Sequence, residues 1–266
     1  MGAHSSEAAE GVPASWHSPP PCLALNRDEV HVWRVPLDVP PGIVAGLFPL
    51  LSAGEQTRAE QLRAEDASRR FVASHGALRI ILARYLGDKP ERLRFLADAW
   101  GKPRLDPPAR TSPLRFSLSH SGELALCAVT EGRDVGVDLE QIRAVSAWRE
   151  IAARYFSPDE QSVLRALTGD RALQTFFHGW TRKEAYSKAL GDGVSQAWAQ
   201  YSVSLAPRAV TELTGAGPRA EQGRRFTLCP LELEPGYVAA VAAQGAGWSL
   251  RCWHWSWATE GAARIA

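Results

Sequence analysis

The chain has 266 residues, 45% of them hydrophobic, and a formal net charge of +1. This length allows one large domain or two of ordinary size, and the apolar content is enough for a sizeable core. The near-zero charge argues against a nucleic-acid partner, since there is no overall basic field. We find no run of eighteen apolar residues and no secretory leader, so the sequence predicts no membrane span and a cytoplasmic location.

The N-terminal part of the chain predicts a tail followed by a strand and two helices. Residues 1–28 lack a periodic apolar pattern and contain three consecutive prolines, which is typical of a disordered tail. Alternation over residues 30–35 predicts the first strand. Ser52 and Glu55 form a capping-box pattern, which predicts the start of a helix. Apolar residues at helical spacing then predict a helix from Phe71 to Leu86, ended by a glycine.

The middle of the chain predicts a turn and a hairpin that present polar groups. Gly101-Lys102-Pro103 predicts a tight turn with the lysine at its tip. Residues 114–119 and 124–129 predict two strands, and Ser119-His120-Ser121-Gly122 predicts the turn between them. The hydroxyls and imidazole of this turn suit a phosphate. Both features also fit ordinary solvated turns, so neither decides a function by itself.

The segment Val135-Gly136-Val137-Asp138-Leu139-Glu140 predicts a buried strand with two acids on one face. Side chains alternate along a strand, so Asp138 and Glu140 point to the same side as Gly136. Two adjacent carboxylates repel each other and lose hydration on burial unless a cation compensates. The alternative is an ordinary strand whose acidic face meets water.

A second segment with candidate functional side chains is the helix predicted from about Leu173 to Leu190. Glu184 and Lys188 are four residues apart and therefore share a face. If this face packs on the acidic strand, three carboxylates and an ammonium meet, which suits a magnesium ion that also binds a phosphate. The alternative is a solvent-facing ion pair, the commoner fate of this spacing. Together the two segments predict magnesium-dependent phosphoryl-type transfer.

Two parts of the sequence match at an offset near 104 residues. The capping box Ser52–Glu55 matches a second one, Ser157–Glu160, and residues 79–88 (RIILARYLGD) match residues 183–192 (KEAYSKALGD). The pattern indicates a duplicated α/β unit, in which only the second copy keeps an acid on the helix, at Glu184. The second half would then supply the metal site, and the first half would mostly line the ligand-binding cleft.

The predicted fold is α/β, with two similar halves related by a pseudo-two-fold axis and a ligand cleft between them. We expect the N-terminal half at 29–133 and the C-terminal half, with the metal site, at 134–258. The remaining strands are predicted at 201–205, 226–228, 237–243 and 248–257, and the polar stretch 207–225 predicts an exposed loop or loose hairpin.

These pieces together resemble the 4′-phosphopantetheinyl transferases of the surfactin-synthetase-activating type. The motifs that carry the resemblance occur in the family's order between about residues 50 and 243. They are GKP at 101–103, FSLSHSG at 116–122, GVDLE at 136–140, FSPDE at 156–160 and WTRKEA-x-x-K at 180–188.

The resemblance implies transfer of the phosphopantetheine arm of coenzyme A to a serine of an acyl or peptidyl carrier protein, with release of adenosine 3′,5′-bisphosphate. Such carriers belong to fatty-acid, polyketide and nonribosomal peptide synthases. It implies that Asp138, Glu140 and Glu184 bind Mg²⁺ and that Lys188 contacts the pyrophosphate. The two-half form implies a monomer.

The resemblance also implies a set of coenzyme A contacts in the N-terminal half. The positions are Lys102, Ser119 and His120, the last near the 3′-phosphate. His75 stands where relatives often have an arginine that contacts coenzyme A, and a histidine is shorter and mostly neutral at pH 7. Either His75 makes a weaker contact, or Arg79 or Arg70 replaces it.

The catalytic base and two rival functions stay open at this point. The base that accepts the serine proton is Glu184, Glu160 or a metal-bound water, and Glu160 is weakened by its role in the capping box. The first rival is a magnesium-dependent phosphohydrolase that uses the same carboxylates with water as acceptor. The second is a coenzyme A- or carrier-binding scaffold without catalysis. Dependence on a carrier protein distinguishes the transferase from both.

Overall fold

The computed structural model describes residues 15–97, 101–106, 113–193, 196–214 and 224–258. These residues form a mixed α/β protein, as the sequence predicts, and fall into two compact units. The N-terminal unit comprises residues 15–134 together with 248–258, and the C-terminal unit comprises residues 135–247. Residues 1–14 of the predicted tail lie outside the described ranges.

Helices and strands follow each other along the chain as follows. The first segment of the N-terminal unit holds β1 (Trp16–His17), β2 (Glu29–Pro36), α1 (Pro41–Leu47), α2 (Ala53–Gln61), α3 (Glu65–Leu86), β3 (Phe95–Ala97), β4 (Pro103–Leu105), β5 (Leu114–Ser121) and β6 (Leu124–Glu131). The C-terminal unit holds β7 (Val135–Gln141), α4 (Trp148–Tyr155), α5 (Pro158–Arg165), α6 (Gly169–Leu190), β8 (Thr211–Thr214), β9 (Arg225–Leu231) and β10 (Tyr237–Gln244). The chain then returns to the N-terminal unit with β11 (Ser249–His254).

The N-terminal unit is built on a five-stranded sheet with the order β1-β11-β2-β6-β5, while β3 and β4 pair separately. Helix α3 packs on this sheet, because Leu78 and Ile81 belong to the same buried cluster as Trp33 and Val35. The helix ends at Gly87, whose φ of 62° closes it in the left-handed conformation, as predicted.

The C-terminal unit is built on a four-stranded antiparallel sheet with the order β7-β10-β9-β8. Helix α6 crosses one face of this sheet, where Tyr186 contacts the ring of Phe226 and lies in one cluster with Ala240. The β8–β9 pair confirms a hairpin within the polar stretch 207–225, of which residues 215–223 lie outside the described part.

The sequence-based domain limits differ from the structure at both ends of the chain. Residues 15–28 were predicted as part of a disordered tail, yet β1 pairs with β11, and Leu23 and Leu25 pack against the N-terminal core. Residues 248–258 were assigned to the C-terminal half, yet β11 pairs in parallel with β2. Pairing with a strand more than 200 residues away is a long-range contact that no local pattern indicates.

The predicted strand at 201–205 is also wrong, although its burial is right. Tyr201, Val203 and Leu205 are buried, as the alternation indicates, but the segment forms no strand. Its backbone groups bind side chains instead of a neighbouring strand. The Val203 N–H donates to Glu160 Oε1 at 2.7 Å, and the Tyr201 carbonyl accepts from Lys183 Nζ at 2.8 Å.

Each unit contains a buried cation that is paired with the glutamate of a capping box. In the N-terminal unit the Ser52–Glu55 capping box starts α2, as predicted. Arg79 of α3 lies 2.6 Å from Glu55 Oε2 and donates to the carbonyls of Pro90 and Leu93 at 3.1 and 2.9 Å. The Glu55 carboxylate therefore caps α2 and also binds the buried cation of α3.

The same arrangement occurs in the C-terminal unit. The Ser157–Glu160 capping box starts α5, and Lys183 of α6 lies 3.0 Å from Glu160 Oε2. Lys183 donates to the carbonyls of Trp198 and Tyr201 at 2.7 and 2.8 Å. The sequence repeat thus extends to buried side-chain contacts within each unit, while the pseudo-two-fold axis and the cleft stay predictions.

Within the described ranges, no helix combines the length and the apolar character needed to cross a membrane.

Candidate active site

Gly136 allows the acidic strand β7 to contact helix α6, which carries Glu184 and Lys188. A Cβ on Gly136 would overlap the Ala185 carbonyl oxygen and would lie 2.5 Å from the Ala189 amide nitrogen. Only glycine therefore allows the backbone of α6 to lie this close to β7. The structure confirms the predicted packing, and the residues that share the face of Gly136 point toward this helix.

Asp138 and Lys188 form an ion pair in the candidate site. Lys188 Nζ lies 2.6 Å from Asp138 Oδ1, and the side chains are 27% and 5% exposed. The lysine therefore keeps part of its surface in water, while the carboxylate is almost fully buried. The alternative of two acids on a solvated strand face is wrong for Asp138.

Glu184 is a carboxyl whose environment disfavours its charged form. The pKa of Glu184 is raised to about 7, mainly by burial and then by the negative charge of Asp138, with a smaller increase from Glu140; Lys188 acts in the opposite direction. These contributions indicate that the two acids of β7 and the acid of α6 lie close enough to repel one another. The structure brings together the four residues that the sequence singled out.

The cluster has the chemistry of a magnesium site without a preformed set of ligands. In the described part of the chain, no three His, Cys, Asp or Glu side chains are already arranged to enclose a metal ion. Three mutually repelling carboxylates are nevertheless the oxygen donors that Mg²⁺ prefers, and a dication would relieve the repulsion that Glu184 experiences. The chemistry of the donor set therefore fits the ion.

The N-terminal unit has a different pair at the corresponding place. The guanidinium carbon of Arg84, on α3, lies 5.4 Å from the ring centre of Trp33, on β2. Trp33 precedes the capping glutamate of its unit by 22 residues, as Asp138 does in the C-terminal unit. A cation–π contact thus stands where the C-terminal unit has the ion pair of Lys188 and Asp138.

The three predicted contacts to coenzyme A lie in the N-terminal unit. Lys102 lies between Gly101, whose φ is 83°, and the start of β4, and its side chain is half-buried. The predicted turn at 119–122 is shorter than expected, because β5 continues to Ser121. Ser119 is therefore a buried strand residue and His120 an exposed one at the strand end.

His75 is held as a neutral imidazole. Its ring stacks on Phe71 with centroids 3.8 Å apart, and Nδ1 lies 3.0 Å from the Phe71 carbonyl oxygen. Because a carbonyl oxygen only accepts, Nδ1 carries the proton in this contact and Nε2 is an acceptor. The pKa of His75 is lowered to about 4, mainly by burial; Glu55 acts in the opposite direction, and nearby His120 contributes to the lowering. His75 therefore adds no positive charge at neutral pH.

Two sequence-based alternatives do not fit the structure. Arg79 is 1% exposed and bound to Glu55, so it cannot replace an arginine that contacts coenzyme A. Glu160 is 3% exposed, and its oxygens accept from Ser157, Val203 and Lys183, so it lacks the accessibility that a base for a carrier serine needs. Arg70 stays available, since it is more exposed and lies 3.6 Å from Glu123.

Sequence reasoning missed the buried cations of α6. Arg182 is 1% exposed and donates to the carbonyls of Ala206, Pro207 and Ala209 at 2.7, 3.1 and 3.3 Å. Lys183 is completely buried beside it. The sequence repeat, in which Lys183 matches Arg79, could have indicated such a role. Each of these cations follows the capping glutamate of its unit by a similar number of residues.

Comparison with known proteins places the chain in a family. A 4′-phosphopantetheinyl transferase superfamily model matches residues 134–242. The 4′-phosphopantetheinyl transferase HetI of Nostoc sp. is 40% identical over 241 residues, which cover 91% of this chain and 98% of that relative. The chain belongs to the 4′-phosphopantetheinyl transferase superfamily.

Other phosphopantetheinyl transferases match over shorter stretches. Sfp of Bacillus subtilis is 32% identical over 183 residues, covering 67% of this chain and 75% of Sfp. AcpT of Salmonella typhi is 36% identical over 170 residues, covering 64% of this chain and 83% of AcpT. The region that the superfamily model matches contains β7 and α6, and hence every member of the carboxylate–lysine cluster.

Proposed function

We propose that this protein transfers the 4′-phosphopantetheine arm of coenzyme A to a serine of an apo acyl or peptidyl carrier protein. The observation that carries the proposal is the contact of Lys188 with buried Asp138 beside Glu184, whose pKa is about 7. This cluster lies within the part of the chain that matches the transferase superfamily. We expect the protein to act as a monomer in the cytoplasm, where coenzyme A and carrier proteins meet.

We propose that Asp138, Glu140 and Glu184 hold a magnesium ion. When bound, the ion supplies positive charge that stabilises the pyrophosphate of coenzyme A as its phosphoanhydride bond breaks. The buried carboxylate of Asp138 and the raised pKa of Glu184 support this assignment, because both acids need a compensating cation in the ionised state.

Lys188 and Glu184 have separate tasks in the proposed reaction. The partly exposed ammonium of Lys188 donates hydrogen bonds to a phosphate oxygen of the pyrophosphate. The serine oxygen attacks the phosphorus next to the pantetheine arm, the bond to adenosine 3′,5′-bisphosphate breaks, and Glu184 accepts the serine proton. In the metal-free protein the pKa of Glu184 is about 7, so a bound cation would favour its ionised form, which is the form that accepts a proton.

We propose that the N-terminal unit contributes Lys102, Ser119 and His120 to coenzyme A binding, with His120 near the 3′-phosphate. His75 takes a neutral role, because its Nε2 accepts a hydrogen bond from a hydroxyl or amino group but does not neutralise a phosphate. Of Arg79 and Arg70, the two arginines considered for the charge that an arginine at position 75 would supply, we propose Arg70 for this role.

Intact mass measurement tests the proposed function directly. The protein is incubated with coenzyme A, Mg²⁺ and one apo acyl or one apo peptidyl carrier protein, and each carrier is weighed. We expect a gain of one phosphopantetheine, abolished by a chelator and by Lys188→Ala. Hydrolysis of coenzyme A without a carrier would indicate a phosphohydrolase. Binding of coenzyme A without any transfer would indicate a scaffold.

A further inference from the structure

Lys183 is the residue before Glu184, and all of its hydrogen-bonding capacity is used inside the protein. Its side chain is fully buried. The three N–H groups of an ammonium match three acceptors here, namely Glu160 Oε2 at 3.0 Å and the carbonyls of Trp198 and Tyr201 at 2.7 and 2.8 Å. Such a cation has nothing left for a substrate, so its role must lie in what it holds in place.

Glu160 binds Lys183 and two backbone amides, and we call the pair of Glu160 and Lys183 the anchor. Its Oε2 accepts from the Ser157 amide at 2.7 Å and its Oε1 accepts from the Val203 amide at 2.7 Å, in addition to the contact with Lys183. The pair therefore joins the start of α5, the middle of α6 and the segment at 198–203. Both carboxylate oxygens accept from donors, so an amide side chain cannot reproduce the arrangement.

The position of this anchor along α6 gives it a functional consequence. On one side of Glu184, Ala185 touches Gly136 of β7. On the other side, Lys183 is bound to Glu160. Successive residues of a helix differ by about 100° around its axis, so the two contacts restrain both rotation and sliding of α6 at the residue between them. A misplacement of about 1 Å at a reacting group can cost about 10²-fold in rate.

We propose that Glu160 and Lys183 are positioning residues that hold Glu184 toward Asp138 and Glu140. The proposal rests on the transferase function proposed above, since Glu184 is the group whose placement matters. It assigns no contact with substrate to either member of the pair. The N-terminal unit provides a matched control, because Glu55 and Arg79 form the same kind of pair and the residue after Arg79 is Ile80, which has no chemical role.

The test compares Glu160→Gln with Glu55→Gln at a temperature where circular dichroism shows both variants folded. For each variant, kcat, the KM for coenzyme A and the affinity for Mn²⁺ are measured, the last by electron paramagnetic resonance without substrate. We expect Glu160→Gln to lower kcat by about 10- to 100-fold, with a smaller change in KM, and to weaken Mn²⁺ binding. Glu55→Gln is expected to leave kcat and Mn²⁺ binding near those of the wild type.

A second pair of variants keeps the proposal testable if Glu160→Gln does not fold. Lys183→Arg retains a cation that can bind a carboxylate and two carbonyls, as Arg79 does, and should keep most of kcat and Mn²⁺ affinity. Lys183→Met should lose both. Equal losses in Glu160→Gln and Glu55→Gln, or unchanged kcat and Mn²⁺ affinity in Glu160→Gln and Lys183→Met, would overturn the positioning role. Failure of the wild type to modify any carrier would instead refute the proposed function, while the Mn²⁺ affinities would still test the pair.

Discussion

Replacement of Gly136 by alanine should separate β7 from α6 without altering the chemical groups. The new Cβ would overlap the Ala185 carbonyl oxygen and lie 2.5 Å from the Ala189 nitrogen, where ordinary contacts are about 3.5 Å. The helix must therefore move by about 1 Å. The contact of Lys188 with Asp138, now 2.6 Å, would open to about 3.6 Å, which is outside hydrogen-bonding range.

This displacement has two measurable effects. Overpacking of this kind costs about 1–3 kcal/mol of unfolding free energy, which urea denaturation measures. A shift of about 1 Å at the reacting groups lowers kcat by about 10²-fold, which the carrier mass assay measures as a function of time at saturating coenzyme A.

Gly76→Ala provides the matched control for Gly136→Ala. A Cβ on Gly76 would lie 2.9 Å from Leu47 Cδ2 and 3.0 Å from Leu47 Cβ, so it would crowd a buried side chain of α1 rather than the carboxylate–lysine cluster. This variant should lose some stability and keep its kcat. Wild-type kcat and stability in Gly136→Ala would show that the close approach of the backbones does not place the active groups, and the reasoning would fail.

Three further predictions concern single side chains. Asp138→Ala should abolish carrier modification, because Lys188 and the proposed metal both lose a buried carboxylate; full activity in excess Mg²⁺ would exclude Asp138 as a ligand. His120→Ala should raise the half-saturating concentration of coenzyme A but leave that of 3′-dephospho-coenzyme A unchanged; equal shifts for both would contradict its role at the 3′-phosphate. Burial, with a contribution from Arg182, lowers the pKa of His178 to about 4 from an ordinary 6.5. The unfolded chain therefore binds more protons between these values, and stability should fall as pH decreases through this window; an unchanged pH dependence of the urea midpoint in His178→Gln would refute this assignment.

The chemical core of the site could be predicted from the sequence because its determinants are local. Alternation along β7 places Gly136 and Asp138 on one face, and helical spacing places Glu184 and Lys188 on another. One further assumption, that these faces meet, was enough to assemble the cluster. Gly136 carries the information for that contact, since a glycine in a strand interior often marks close approach of another backbone.

The errors arose where the decisive contact was distant in sequence or made by a side chain. The pairing of β11 with β2 depends on residues more than 200 positions apart, so the end of the chain was assigned to the wrong unit. The segment at 201–205 has the alternation of a strand, but Glu160 and Lys183 satisfy its backbone groups. Burial could be inferred from the pattern, whereas the hydrogen-bonding partners could not.

The contact of Arg84 with Trp33 shows how a helix cation is accommodated where the strand residue beneath it is not an acid. Removal of a carboxylate beneath a helix cation normally leaves an unpaired charge, which selection would eliminate. An indole avoids that outcome, because its face attracts the cation without carrying a charge of its own. The N-terminal unit thus keeps a cation on its helix at this place with an indole rather than a carboxylate at the strand position beneath it, and so without the oxygen donor that Asp138 offers in the C-terminal unit.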